Sequence, residues 1–169
     1  MSTKKSVRSK KDDWQTPPRI LEPIQKTTPI TMDPCAAPDT EIGEINIGKE
    51  QDGLSYAWEG TVFMNPPFSE KEEWLEKATQ EYQRQTVDRI YAVTPDNTDA
   101  ISSWHEYIVP HVEWTLFYES RINFIDPEKG EQANSPAGGT ALHIFGDAPN
   151  ATLRLLAEEG DLVRRPRFL

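Results

Sequence analysis

The chain has 169 residues, enough for one domain with a single hydrophobic core. Its lone cysteine, Cys35, excludes an internal disulfide framework and a zinc site built from several thiolates, and no apolar run approaches the length of a membrane span. The formal net charge is -10, but eight Lys and Arg residues fall within residues 1–11 and 164–169, and setting them aside leaves Asp12 to Val163 at -18.

In chain order, Thr16 to Lys26 reads as a short helix opened by Pro17 or Pro18, because proline suits the first helical turn and the apolar residues recur at helical spacing. Ile30 to Met32 is a short strand stopped by Asp33-Pro34. From Ala36 to Gly53 the pattern is weak, with one short strand expected near Glu44 to Ile47. Gly60 to Met64 is a strand, and the segment from Ser69 is a helix with a Ser69/Glu72 capping box and Trp74, Ala78 and Tyr82 on one face. Arg89 to Pro95 is a buried strand and Asn97 to Val109 a helix. Val112 to Ser120 and Thr140 to Gly146 are strands, separated by a long polar segment. Asn150 to Glu159 is a closing helix with Gly160 as its cap. Trp104 and Trp114 fit core positions, and His105, His111 and His143 are too dispersed for a metal site, so no metal is expected.

Alternating strands and helices predict an α/β sheet with mostly parallel strands, whose ligands bind beyond the carboxyl ends of the strands. A single domain is expected over residues 12–160, with a basic, disordered tail over 1–11 and a second basic tail over 161–169. So acidic a body is a poor general ligand for polyanions, and the basic tails are where phosphate contacts would be made. Asp12-Asp13-Trp14 follows the basic N-terminus in place of an apolar signal core, so a cytoplasmic protein without a membrane segment is expected.

Three strand ends stand out: Asp33-Pro34-Cys35-Ala36, Asn65-Pro66-Pro67-Phe68 and Thr94-Pro95-Asp96. The Asn65 side-chain carbonyl and the Pro66 backbone carbonyl form a stiff pair of acceptors, because proline fixes φ. Such a pair suits a flat exocyclic amine: accepting from both N–H groups draws the lone pair out of ring conjugation and leaves the nitrogen more nucleophilic. Phe68 is placed to stack on the base carrying that amine. Cys35 after Pro34 lies too early in the chain for a cytosine-C5 nucleophile and lacks thiolate-activating neighbours, so it reads as a packing residue.

Asn65-Pro66-Pro67-Phe68 at this position resembles the catalytic motif of S-adenosylmethionine-dependent amino-methyltransferases. The chain from Asp12 to Phe145 is similar to the small phage-type DNA N6-adenine methyltransferases, the Dam-like family. The motifs occur in the family's order: Trp14-Gln15-Thr16-Pro17, Asp33-Pro34-Cys35-Ala36, Asp52-Gly53-Leu54, Trp58, Asn65-Pro66-Pro67-Phe68-Ser69, Trp74, Lys77-Ala78, Arg121-Ile122-Asn123-Phe124 and Ser135-Pro136.

The resemblance implies a Rossmann-like methyltransferase fold with an antiparallel last strand, S-adenosyl-L-methionine as cofactor and DNA as partner. In its terms Trp14, Thr16 and Pro17 hold the cofactor's methionine carboxylate. Asp33 accepts from its ammonium while Pro34, Cys35 and Ala36 let the chain pass close. Asp52, Gly53 and Leu54 take its adenine. Asn65, Pro66, Pro67 and Phe68 are catalytic, and Ser69, Arg121 and Asn123 meet the target. The chain departs from the wider pattern in lacking a Gly-x-Gly after the first strand. It also leaves only about thirty residues between Asp33 and Asn65, so the acid expected at the cofactor ribose falls among Asp39, Glu41 and Glu44. Cytosine-N4, RNA or protein-glutamine methylation would use the same acceptor pair, and a noncatalytic DNA-binding module is the reading from another class. With no room for a large recognition domain, target recognition is expected to be short or relaxed, or to depend on a partner or a homodimer. For a viral protein the setting would be the host cytoplasm.

Overall fold

The computed structural model describes residues 13–133 and 138–166. The expected tail over 1–11 and the motif pair Ser135-Pro136 lie outside the described residues.

A seven-stranded sheet organises the chain in the order β2-β1-β3-β4-β6-β5-β7. The strands are β1 (Met32–Ala36), β2 (Ile45–Gly48), β3 (Gly60–Met64), β4 (Val87–Pro95), β5 (Trp114–Tyr118), β6 (Thr140–Phe145) and β7 (Gly160–Arg164). β2, β1, β3 and β4 are mutually parallel. β6 runs antiparallel between β4 and β5, and β7 runs antiparallel along the outer side of β5. The mixed α/β class and mostly parallel core agree with the sequence reading, but two strands are reversed where one was expected.

The sheet is buried on both faces, and strand periodicity assigns its side chains. Val62 and Met64 of β3 join Ile90 and Ala92 of β4 in one apolar cluster, while Phe63, Tyr91 and Val93 join the other. The helix α2 (Lys71–Gln83) covers the first face through Trp74, Leu75 and Ala78. A π-helical segment, Ile101–Ile108, packs beside it through Trp104 and Ile108 and passes into the single turn α3 (Val109–His111). The second face is covered by α1 (Pro18–Gln25), with Ile20 and Ile24, and by α4 (Asn150–Ala157), with Leu156.

Several boundaries differ from the sequence reading. α1 starts at Pro18 as expected, with Pro17 at the N-cap. α2 starts at Lys71, with Glu70 at its N-cap and no side-chain cap; a 3-10 turn, Phe68–Glu70, precedes it. The expected Ser69/Glu72 capping box is therefore replaced, and Glu72 instead accepts from the Ser102 hydroxyl. The closing helix ends at Ala157, and Gly160 opens β7 rather than capping a helix. A Cβ on Gly160 would lie 2.1 Å from the Phe117 carbonyl oxygen, so close pairing with β5 accounts for this glycine. Asp161 to Arg164, read as tail from charge alone, are consequently an edge strand. Its burial is too slight to show in an apolar pattern.

His143 is fully buried, with Nε2 2.9 Å from Thr94 Oγ1 and Nδ1 3.1 Å from Thr115 Oγ1. Burial first, then the nearby Arg165 charge, depresses its pKa to about 3, so it is a neutral structural link between β4, β6 and β5. Trp104 is buried, whereas Trp114 is half-buried with the Arg164 guanidinium 5.4 Å from its ring centre.

Candidate active site

A cleft of about 180 Å³ opens at the carboxyl ends of β1, β2 and β3. β1 and its following loop give Pro34, Cys35, Ala36 and Ala37, while β2 gives Gly48 and its successor Lys49. Asp52, Gly53 and Leu54 form the next wall, and Asn65 and Pro67 come from the end of β3. Glu70 and Trp74, at and after the start of α2, together with Asp13 and Trp14, complete it. The third expected strand end, at Thr94, is not part of this cleft: the Thr94 hydroxyl is taken by His143 and the Pro95 carbonyl. The end of β2 takes that place.

The Asp52-Gly53-Leu54 wall is held by packing that sequence inspection left unassigned. Asp52 adopts φ 57°, and its carboxylate accepts from the Leu54 N–H at 3.3 Å. Gly53 lies so close to β1 that a Cβ would meet the Pro34 carbonyl oxygen at 1.7 Å. The Trp58 indole N–H donates to the Gly53 carbonyl at 3.0 Å, and Trp58 stacks on the cleft residue Trp74 at 6.3 Å. Behind them Glu81 is fully buried and accepts from the Trp58 N–H, Lys77 and Arg84. Burial alone would raise its pKa, but the bonds from Lys77 and Trp58 and the nearby charges outweigh that and hold it below the usual carboxylate range. Trp58 and Lys77, named only by resemblance, and Trp74 and Ala78, which helical spacing also put on one face, thus brace the cleft. The buried acid that joins them, Glu81, looks like part of a wet helical face in the sequence.

Asp33 does not line the cleft. It is 2% exposed, and its carboxylate accepts from the Cys35 N–H at 3.1 Å, at the point where β1 shifts register against β2. Burial raises its pKa to about 7 against the opposing effect of that bond. Cys35 lines the cleft. Burial and the neighbouring Asp33 push its thiol well above the ordinary range, which fits a packing residue rather than a thiolate nucleophile. None of Asp39, Glu41 and Glu44 lines the cleft; the acids that do are Asp13, Asp52 and Glu70. Asp13 pairs with Lys49 at 3.8 Å.

Asn65 stands where two environments meet. On one side is the cleft; on the other Phe68 is half-buried in the opposite apolar cluster, its ring edge-on to Phe124 at 5.9 Å. The Asn65 Nδ2 donates to Thr16 Oγ1 at 3.1 Å. Thr16 and Pro17 are buried beside the cleft rather than in its lining, unlike Trp14. Pro66 is buried, and Ser69 is exposed. Arg121 and Asn123 are exposed, but they alternate with buried Ile122 and Phe124. The long segment read as polar is therefore anchored by two apolar side chains. Ile125 exchanges two backbone bonds with Gln15, at 3.0 and 3.1 Å, which ties this segment to the Trp14–Pro17 stretch.

Among the described residues no group of three or more His, Cys, Asp or Glu is placed to hold a metal ion, and no helix is long and apolar enough to cross a membrane. The cleft fits a nucleoside-bearing cofactor in its chemistry. Trp14, Pro34, Leu54 and Trp74 provide flat or apolar walls, Asp52 provides an acceptor beside them, and Gly53 lets the backbone come close.

A mostly parallel α/β sheet with its cleft at the carboxyl strand ends, and Asn65 and Pro67 of an Asn-Pro-Pro-Phe turn in the lining, is the arrangement of a methyltransferase of the Rossmann-like class. The chain belongs to the DNA N-6-adenine-methyltransferase (Dam) family, whose profile matches residues 2–163. Among solved structures it is similar to a candidate RNA methyltransferase from Pyrococcus horikoshii, at 17% identity and a TM-score of 0.39 over 65% of this chain. The chain spans about half of that protein, with 52% of it covered. No curated protein sequence matches the chain.

Proposed function

We propose that the protein transfers a methyl group from S-adenosyl-L-methionine to N6 of an adenine in DNA. The observation that carries this reading is the position of Asn65, between a cleft suited to a nucleoside and the Phe68–Phe124 aromatic pair. Leu54, Trp74 and Trp14 would flank the cofactor, Asp52 would accept from its adenine amino group, and Pro34, Cys35 and Ala36 would form the floor. Asp33 would contribute from below, by holding the Cys35 backbone.

On the target side, a base swung out of the duplex would stack on Phe68. Asn65 Oδ1 and the Pro66 carbonyl would accept from its amine, turning the nitrogen lone pair out of the ring. Pro67 keeps this turn stiff. Ser69, Arg121 and Asn123 are exposed beside the turn or on the Phe124 segment and would meet the DNA strand. The cofactor supplies a methyl carbon on a sulfonium sulfur, and transfer exchanges that C–S bond for a C–N bond, with one amine proton passing to solvent. No residue need act as a covalent nucleophile; positioning carries the rate.

Unmethylated duplex DNA incubated with the protein and S-adenosylmethionine, at low and high salt, then digested to nucleosides for mass spectrometry, tests the reading. N6-methyladenine is the expected product. N4-methylcytosine would keep the chemistry and overturn the base, and no methylated base at either salt would overturn the assignment. Asn65→Ala is expected to abolish transfer while isothermal titration still shows cofactor binding.

A further inference from the structure

We propose that Thr16 is a positioning residue for the transfer, acting through the Asn65 carboxamide rather than on the cofactor. This rests on the reading of Asn65 as the amine acceptor. A primary amide has a donor end and an acceptor end of nearly the same shape, and only the acceptor end can polarise an amine. Free rotation about the last side-chain bond would spend much of the time presenting the wrong end. Thr16 restricts that freedom: the Nδ2 donates to its hydroxyl at 3.1 Å, and with Nδ2 engaged there Oδ1 is the end left to accept from an amine.

The anchor is rigid. Thr16 is 8% exposed. The preceding residue, Gln15, exchanges two backbone bonds with Ile125, and its side chain donates to the Pro38 carbonyl at 2.9 Å. The following residue, Pro17, is buried at the N-cap of α1, and its carbonyl accepts from the Ile20 N–H at 3.0 Å. Thr16 itself is outside the cleft lining, and its hydroxyl is engaged by Asn65.

The test compares Thr16→Val, which keeps the shape and removes the acceptor, with Thr16→Ser, which restores the hydroxyl. With S-adenosylmethionine saturating and duplex DNA as substrate, Thr16→Val is expected to lower kcat by about 10- to 100-fold. KM for both substrates should change less than about threefold. Thr16→Ser should recover most of the rate, and both variants should bind S-adenosylhomocysteine like the parent. A Thr16→Val protein with unchanged kcat and weakened cofactor binding would overturn the proposal in favour of a cofactor ligand. Should the parent protein methylate no DNA base, the reading of the reaction fails, but the link is still decided by NMR. The Asn65 side-chain NH2 resonances, assigned by their loss in Asn65→Ala, should move in Thr16→Val and return in Thr16→Ser. Resonances that stay put would refute the Thr16–Asn65 link itself.

Discussion

Gly53 and Pro34 touch backbone to backbone: a Cβ on Gly53 would sit 1.7 Å from the Pro34 carbonyl oxygen and 2.7 Å from its carbon. Neither atom belongs to a flexible side chain, so the chain itself would have to move. Gly53→Ala is expected to destabilise the fold by about 1–3 kcal/mol. It should also push Asp52 and Leu54 away from β1 and blunt cofactor binding. Thermal melts with and without S-adenosylmethionine check both effects, since a ligand that binds only the folded state raises the midpoint. A variant with the parent's midpoint and the parent's ligand-induced rise would show that the turn can reseat without loss.

The Trp74 indole lines the cleft, is 6% exposed, and its N–H has no partner among the described residues. Buried donors of this kind are rare without a ligand or water to take the proton. Trp74→Phe keeps most of the stacking on Trp58 and removes the donor. Cofactor affinity measured by titration is expected to fall about 3- to 10-fold, which matches one net hydrogen bond. Unchanged affinity would mean that the donor takes no part in ligand binding.

Asp33 and His143 give opposing pH dependences. The Asp33 pKa is raised from 3.8 to about 7, so its contribution to stability is present below about pH 4 and lost as pH rises to 7. The His143 pKa is lowered from 6.5 to about 3, so its contribution is present above pH 6.5 and lost as pH falls towards 3. Between about pH 4 and 6.5 the two slopes, each at most about 1.4 kcal/mol per pH unit, largely cancel. Asp33→Asn should therefore unmask a stability that climbs with pH over that window, measurable by urea unfolding at several pH values. A flat Asp33→Asn profile would show that His143 is not held neutral.

Removing residues 1–11 deletes Lys4, Lys5, Arg8, Lys10 and Lys11 from a chain whose remainder is strongly acidic. DNA affinity should drop, and the slope of log affinity against log salt should become shallower by up to about 4 to 5 if all five residues pair with phosphates. Binding measured from low to high salt decides this; an unchanged slope would place the phosphate contacts on the folded body.

The parallel core was legible because β3 and β4 are apolar runs that stop at or beside a proline, and α2 has apolar residues at helical spacing; β1 was expected to stop at Asp33-Pro34 but runs through them from Met32 to Ala36, pairing with β2 and β3. Asn65 at a strand end was legible for the same reason. Other features were set by contacts distant in sequence. β7 alternates weakly and carries charge, so nothing but its pairing with β5 marks it as a strand. Glu81 resembles its exposed neighbours along α2 until Trp58, Lys77 and Arg84 converge on it. Asp33 was read as a cofactor ligand from its place in the chain alone; that its carboxylate also accepts from the Cys35 N–H is set by the local path of β1 and left no mark in the pattern. Thr16 and Asn65, 49 positions apart, meet only once the N-terminal stretch is laid across the ends of the strands.

The described chain enters and leaves the domain at opposite ends of the sheet. Asp13 lies at the mouth of the cleft, whereas Arg164 pairs with Trp114 at the start of β5. On the proposed function, a partner or fused domain that meets the body at Asp13 would stand beside the incoming duplex and compete for it or guide it, whereas one that meets it at Arg164 would hang from the far rim and leave the approach clear. For tethering the protein to a chosen locus, the point of attachment then becomes a choice between steering the substrate and merely carrying the enzyme.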